Sequence, residues 1–250
     1  MDIVKETEKY TINFFEEKIP SSLAYHSIEH TRLVVNIVEK IALNEGLDEN
    51  NTKIVLVAAW FHDIGYAISY ENHEEESCKI ANEYLKAKNV DNSFIEEVIK
   101  CIKATELGAP SNTLNEQIIS DADHAHTGME NFMEISNLYR KEMCNISEIK
   151  PTKLQYWQKT LQFLEDIHFL TNYAKNNMKK QKDENIEKVQ KRIKKLKSQK
   201  KEKGKNSDIK STVRGIETVF RLTARNQINL SSIADNKANI MLTINSILLS

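Results

Sequence analysis

Ala58-Ala59-Trp60-Phe61-His62-Asp63-Ile64-Gly65-Tyr66 is the stretch on which the reading of this chain turns. The residues before it, from Ile54 onward, are apolar at nearly every position, so the segment reads as a helix buried almost all round, the central helix of a core. It ends on an adjacent imidazole and carboxylate, and Gly65 then lets the backbone turn away. Two side chains able to hold a metal ion thus leave one buried helix end together. Upstream, Tyr25-His26-Ser27-Ile28-Glu29-His30-Thr31 spaces two histidines four residues apart, which places them on one face of a helix. Downstream, Asn72-His73-Glu74-Glu75-Glu76-Ser77 has the acid-rich pattern of a helix start, and Ser120-Asp121-Ala122-Asp123-His124 adds further carboxylates.

The rest of the chain points to helices as well. Only 6 Gly and 3 Pro occur among 250 residues, too few turn-formers for a many-stranded sheet protein, and an all-α fold is expected. Apolar residues recur at helical spacing over 3–18, 27–44, 91–105 and 114–126. Pro151 is expected in the first turn of a long helix that runs through Leu170 and closes a globular domain near Lys175. The three cysteines, Cys78, Cys101 and Cys144, lack CxxC spacing, which argues against a disulfide framework or a zinc-thiolate site and fits a reducing cytosol. The amino-terminal stretch has no apolar core of a secretory signal.

The formal charge of −1 hides an asymmetry: residues 175–205 hold 14 Lys and Arg against 4 Asp and Glu. Ile186, Val189, Ile193 and Leu196 form an apolar stripe in this basic run, which is expected to be a linker helix able to drive homo-oligomerisation as a short coiled coil. Nucleic-acid binding is disfavoured, because no aromatic residue for base stacking lies in the run. From Ile240 to Leu249 the chain becomes apolar and uncharged, about half the length of a membrane span.

Taken in order, "YHSIEHT", "AAWFHDIGY", "NHEEES" and "SDADHAH" resemble the signature of HD-domain metal-dependent phosphohydrolases over residues 20–175. The resemblance implies a helical bundle with His30, His62, Asp63 and Asp123 as metal ligands. Asp121 is the second choice for the distal carboxylate, since the doubled Asp leaves the alignment uncertain by two residues. His26 matches a position that protonates a leaving oxygen or binds phosphate. His73 and Glu74 match a position used for a second metal or for orienting water. Lys103, Thr105 and Arg140 are candidates to meet phosphate, whereas His124, His126 and His168 read as structural. The cofactor implied is a divalent metal ion, with imidazoles favouring Mn, Fe, Co, Ni or Zn over Mg, and the substrate a nucleotide or cyclic nucleotide.

A second resemblance lies in "LTARNQINLSSIADNKANIMLTINSILLS", residues 222–250, which is similar to the segment leading into the first membrane helix of Pycsar antiphage effectors. Three segments are then expected: an HD phosphohydrolase domain at 1–175, a basic helical linker at 176–206, and a helical juxtamembrane segment at 207–250. The HD domain would lie in the cytoplasm, anchored to the inner membrane by residues beyond Ser250. The alternative is a sensor that binds a cyclic nucleotide without hydrolysing it and controls a membrane-disrupting tail.

Overall fold

The computed structural model describes residues 2–20, 22–146 and 150–200, together with 217, 218 and 221. The chain divides into two compact units, Met1–Lys194 and Lys195–Ser250. In the second unit, residues 195–200, 217, 218 and 221 are helical. The membrane-proximal segment read from the sequence, with its apolar end at 240–249, lies outside the described residues. None of the described helices is long and apolar enough to cross a membrane.

The first unit is all-α, with no strand among the described residues. Its core is α3 (Glu49–Phe61), where every residue from Ile54 to Phe61 is buried, as the unbroken apolar run requires. Asp48 caps it by accepting the Asn51 N–H at 2.8 Å. Around α3 pack α1 (Ile3–Lys18), α2 (Ile28–Asn44), α5 (Asn92–Lys103) and α6 (Leu114–Asp123), each presenting one apolar stripe. Fully burying a Leu, Ile or Phe side chain stabilises a fold by about 1.5–3 kcal/mol, so this ring of stripes supplies most of the cohesion. α6 starts in a capping box in which Thr113 and Glu116 satisfy one another's backbone N–H groups.

Two features fix the end of α3. A 3-10 turn at Ile64–Ala67 follows it, and α4 (His73–Ala87) packs closely on that turn. Ser77 Oγ donates to the His62 carbonyl at 2.7 Å and accepts the Gly65 N–H at 2.9 Å. Gly65 does not have a positive φ. Its role is close approach: a Cβ there would overlap the His73 carbonyl oxygen and stand 2.6 Å from the Ser77 amide nitrogen. The glycine therefore admits α4 rather than bending the chain, a correction to the sequence reading.

α7 (Phe132–Ile146) was not foreseen from the sequence, and the single long helix expected after Pro151 is two helices. Thr152 caps α8 (Lys153–Asp166) in a capping box with Gln155, which leaves Pro151 outside the helix. The chain is then extended at Ile167 before α9 (Asn172–Asn177) begins. The break is held from outside: Asp121 accepts the Leu170 N–H at 2.8 Å and the Thr171 N–H at 2.7 Å, and Lys182 Nζ donates to the Ile167 carbonyl.

Residues 179–194, also helical, belong to the first unit, beyond the boundary at 175 read from the sequence. Asn185, fully buried, donates to the carbonyls of Thr127 and Met129 at 2.9 and 2.7 Å. Val189 and Ile193 are buried, so the stripe expected to drive self-association is covered in part by the chain itself.

Candidate metal centre and cavity

His62 caps the carboxyl end of α3, directly after Phe61, and is itself fully buried. Its Nδ1–H donates to the Ala59 carbonyl at 2.8 Å, which turns the Nε2 lone pair inward. His30, in the first turn of α2, meets it with Nε2 to Nε2 at 3.5 Å. Asp123 closes the group from the end of α6, with Oδ1 3.1 Å from His30 Nε2 and 3.6 Å from His62 Nε2. Asp63 Oδ2 lies 3.2 Å from His62 Nε2 and 3.4 Å from His30 Nε2. His30 Nε2, His62 Nε2 and Asp123 Oδ1 thus meet from three helix ends, with Asp63 Oδ2 beside the two imidazoles.

The spacing fits a cation. Ligands about 2.1 Å from one ion stand about 3.0–3.4 Å from each other, close to the separations seen. Asp63 Oδ2 is buried and accepts no hydrogen bond, an atom aimed into the cluster with nothing else to satisfy it. Burial disfavours charge on His62, yet Asp63 and Asp123 beside it outweigh that and hold the imidazole well above its usual range. Burial opposes the Asp63 carboxylate too, and the neighbouring imidazoles still push its pKa down. The buried Asp63 carboxylate and the partly exposed Asp123 carboxylate together call for positive charge at this point. Among the described residues, His30, His62 and Asp123 form the group able to hold a metal ion, with Asp63 alongside.

The other sequence candidates fall into place by distance. Asp121, the second choice for the distal carboxylate, is spent on the backbone at 170–171 and turned from the cluster. His73 Nε2 stands 3.8 Å from Asp63 Oδ1 and 3.2 Å from Glu74 Oε1, so both α4 residues border the cluster on the Asp63 side. Burial drives the His73 pKa down to about 4 and raises that of Glu74. His26 precedes α2 and its cap Ser27, so it does not share a helix face with His30; the two rings meet edge-on at 6.0 Å. It stacks instead on Tyr66 at 4.1 Å, and Tyr66 stacks on His73 at 3.8 Å.

Glu142 of α7 holds His26. Its Oε2 accepts the N–H groups of Tyr25 and His26 at 2.7 and 3.0 Å, its Oε1 pairs with His26 Nδ1, and it is fully buried. The Tyr66 hydroxyl lies 3.1 Å from His26 Nε2. Neither Glu142 nor Tyr66 was among the residues expected at the site. A helical spacing of Phe132, Ile135, Tyr139 and Met143 could have located α7, but the buried carboxylate on it carries no signal in a hydrophobicity pattern.

Above the cluster opens a cavity of about 430 Å³. Asp63, Glu74, Asp123, His26 and His73 line one side of it, and α7 and α8 supply Phe132, Ile135, Tyr139, Tyr156, Lys159 and Phe163. His124 and His126, read as structural, also line it, and burial pushes the His126 pKa down to about 4. Thr105 lines the cavity with its hydroxyl donated to the Ile102 carbonyl, whereas Lys103 and Arg140 do not line it. His168 is exposed on the surface.

The stretch at residues 27–128 matches the HD domain family model. Every member of the four-donor cluster falls inside the HD domain match, and His26, α7 and α8 fall outside it. The fold of the larger part of the chain is also found in solved structures. A protein from Lactobacillus plantarum aligns with a TM-score of 0.58 at 15% identity, over 78% of this chain and 97% of its own. The Lin1889 protein of Listeria innocua aligns at 0.55 and 20%, over 78% and 96%. A predicted HD superfamily hydrolase from an uncultured Thermotogales bacterium aligns at 0.51 and 20%, over 77% and 92%. At these identities the likeness is one of fold. No curated protein matches the chain.

Proposed function

We propose that this chain is a metal-dependent phosphohydrolase acting on a nucleotide or cyclic nucleotide. The observation that carries the reading is the meeting of His30, His62 and Asp123, with Asp63 beside the two imidazoles, at a cavity that His26 and Glu74 also line. The name of the Thermotogales protein, an HD superfamily hydrolase, agrees with it. A divalent cation bound there supplies Lewis-acid activation of the phosphate and of water. Glu74, half-buried at the cavity wall, orients the attacking water and accepts its proton. Water's oxygen adds to phosphorus, the ester P–O bond breaks, and the leaving oxygen takes a proton from His26 Nε2. Glu142 keeps His26 in position for that transfer. A part in a Pycsar-type effector and a membrane anchor rest on the resemblance of residues 222–250 alone.

A hydrolysis screen of nucleotides and cyclic nucleotides with added manganese, with elemental analysis of the same sample, tests the reading. Product formed in proportion to bound metal supports it. Tight binding of a cyclic nucleotide without product overturns it in favour of a sensor.

A further inference from the structure

The cavity volume of about 430 Å³ suits one small organic ligand, since such sites span about 300–1,000 Å³. Its two sides differ in chemistry. The cluster contributes the carboxylates of Asp63, Glu74 and Asp123, whereas α7 and α8 contribute a wall of Phe132, Tyr139, Tyr156 and Phe163. Lys159 is the one lysine in the lining and is exposed, and no arginine contributes. A divalent cation and Lys159 would be balanced by these three carboxylates and a protonated His26 by Glu142, so the lined space is close to neutral. Proteins that hold chains of phosphates place several arginines, lysines or metal ions around them. Here a second or third phosphate would bring charge against an apolar wall and lose its hydration without a partner.

The wall also has little left to hydrogen-bond with. Ser136 Oγ and the Tyr156 hydroxyl lie 2.9 Å apart, Tyr156 donates to the Ser136 carbonyl, and Thr160 donates to the Tyr156 carbonyl at 3.0 Å. Apart from Lys159, what the wall presents is ring faces and edges, which recognise flat apolar groups by contact.

We propose that the substrate is a phosphoester bearing a single phosphate on a flat, uncharged ring system. The phosphate sits at the cation cluster, and the ring lies against α7 and α8. This rests on the phosphohydrolase reading and narrows it: monophosphates and cyclic monophosphates are taken, while triphosphates are refused.

The full chain with manganese is assayed on a nucleoside 5′-monophosphate, the 3′,5′-cyclic monophosphate and 5′-triphosphate of the same base, p-nitrophenyl phosphate and glycerol phosphate. The better single-phosphate nucleotide should exceed both the triphosphate and glycerol phosphate in kcat/KM by about tenfold or more. Which of the two leads separates a monoester from a cyclic diester substrate. Phe163→Ala and Tyr139→Ala should bring the ratio of nucleotide to glycerol phosphate towards one, through KM. Turnover of p-nitrophenyl phosphate without any nucleotide supports the ring-bearing class and removes the base if Phe163→Ala raises its KM, and overturns the proposal if it does not. A triphosphate turned over as well as the monophosphate, or glycerol phosphate as fast as either, overturns the proposal while the hydrolase reading stands. Failure on every compound overturns the hydrolase reading itself, and this substrate class with it.

Discussion

Glu142 binds both the backbone and the ring of His26, accepting its N–H at 3.0 Å while the other carboxylate oxygen meets Nδ1. One buried side chain on α7 therefore sets where His26 Nε2 points. In Glu142→Gln the shape is kept, but with the amide oxygen on the two backbone N–H groups the NH2 faces His26 Nδ1, which then must accept and can no longer carry a proton. Turnover should fall by about 10²-fold, of the order seen when proton transfer is impaired. The loss should be greater for a nucleoside leaving group than for p-nitrophenol, which leaves without a proton. Equal losses on both would assign Glu142 to folding alone.

The same carboxylate gives an acid dependence. Burial favours its neutral form, but His26 and the two backbone N–H groups prevail and lower its pKa below the usual 4.5. The folded state thus binds this proton less readily than the unfolded chain. Its contribution to stability is complete above about pH 4.5 and is lost as pH falls through the lower folded value. Urea midpoints measured from about pH 6 to about pH 3 should drop less steeply in Glu142→Gln than in the parent.

His62→Ala and Asp63→Ala should each abolish metal binding, read by elemental analysis after dialysis. Each removes one of four converging donors and leaves the others without their cation. His168→Ala, at an exposed position, should bind metal as the parent does. Full metal content in both ligand variants would remove the site assignment.

Gly65→Ala should destabilise the fold by about 1–3 kcal/mol, the range for overpacking a close contact. The new methyl meets the backbone of α4, which cannot give way as a flexible side chain would. A lowered urea midpoint together with weakened metal binding is expected, since Asp63 and His73 flank the contact. An unchanged midpoint would mean that α4 stands off from the turn.

Asn185→Ala should cost about 1–3 kcal/mol by leaving the Thr127 and Met129 carbonyls without their donor. Limited proteolysis should then cut within 179–194 sooner than in the parent. Unaltered resistance would show that this helix is held by its apolar residues alone.

The central helix and the His62-Asp63 pair were legible because an unbroken apolar run ending in two ligand types has few other readings. His30 and Asp123 followed from ordered motifs, and the choice between Asp121 and Asp123 did not. Both lie near the end of α6, and only the backbone at 170–171, 49 and 50 residues away in sequence, shows which one is already spent. Glu142 was invisible for a related reason: its partners are Tyr25 and His26, more than a hundred residues earlier. The break after Asp166 has no glycine or proline to mark it, because it is imposed by contacts from Asp121 and Lys182 rather than by local propensity.

The serine at 77 has a bearing on how this region can change. Because Ser77 ties the His62 carbonyl to the Gly65 amide, α4 is set against the cluster by its own first turns and not by the length of the loop before it. Between the turn and α4, Ile68 is well exposed while Tyr70 packs on Tyr66, so a change of length is tolerated beside Ile68 and not at Tyr70. A shift of α4 by one residue would rotate it by about 100° and carry His73 and Glu74 away from the cavity. The chain beside Ile68 can thus vary, and the register of α4 cannot.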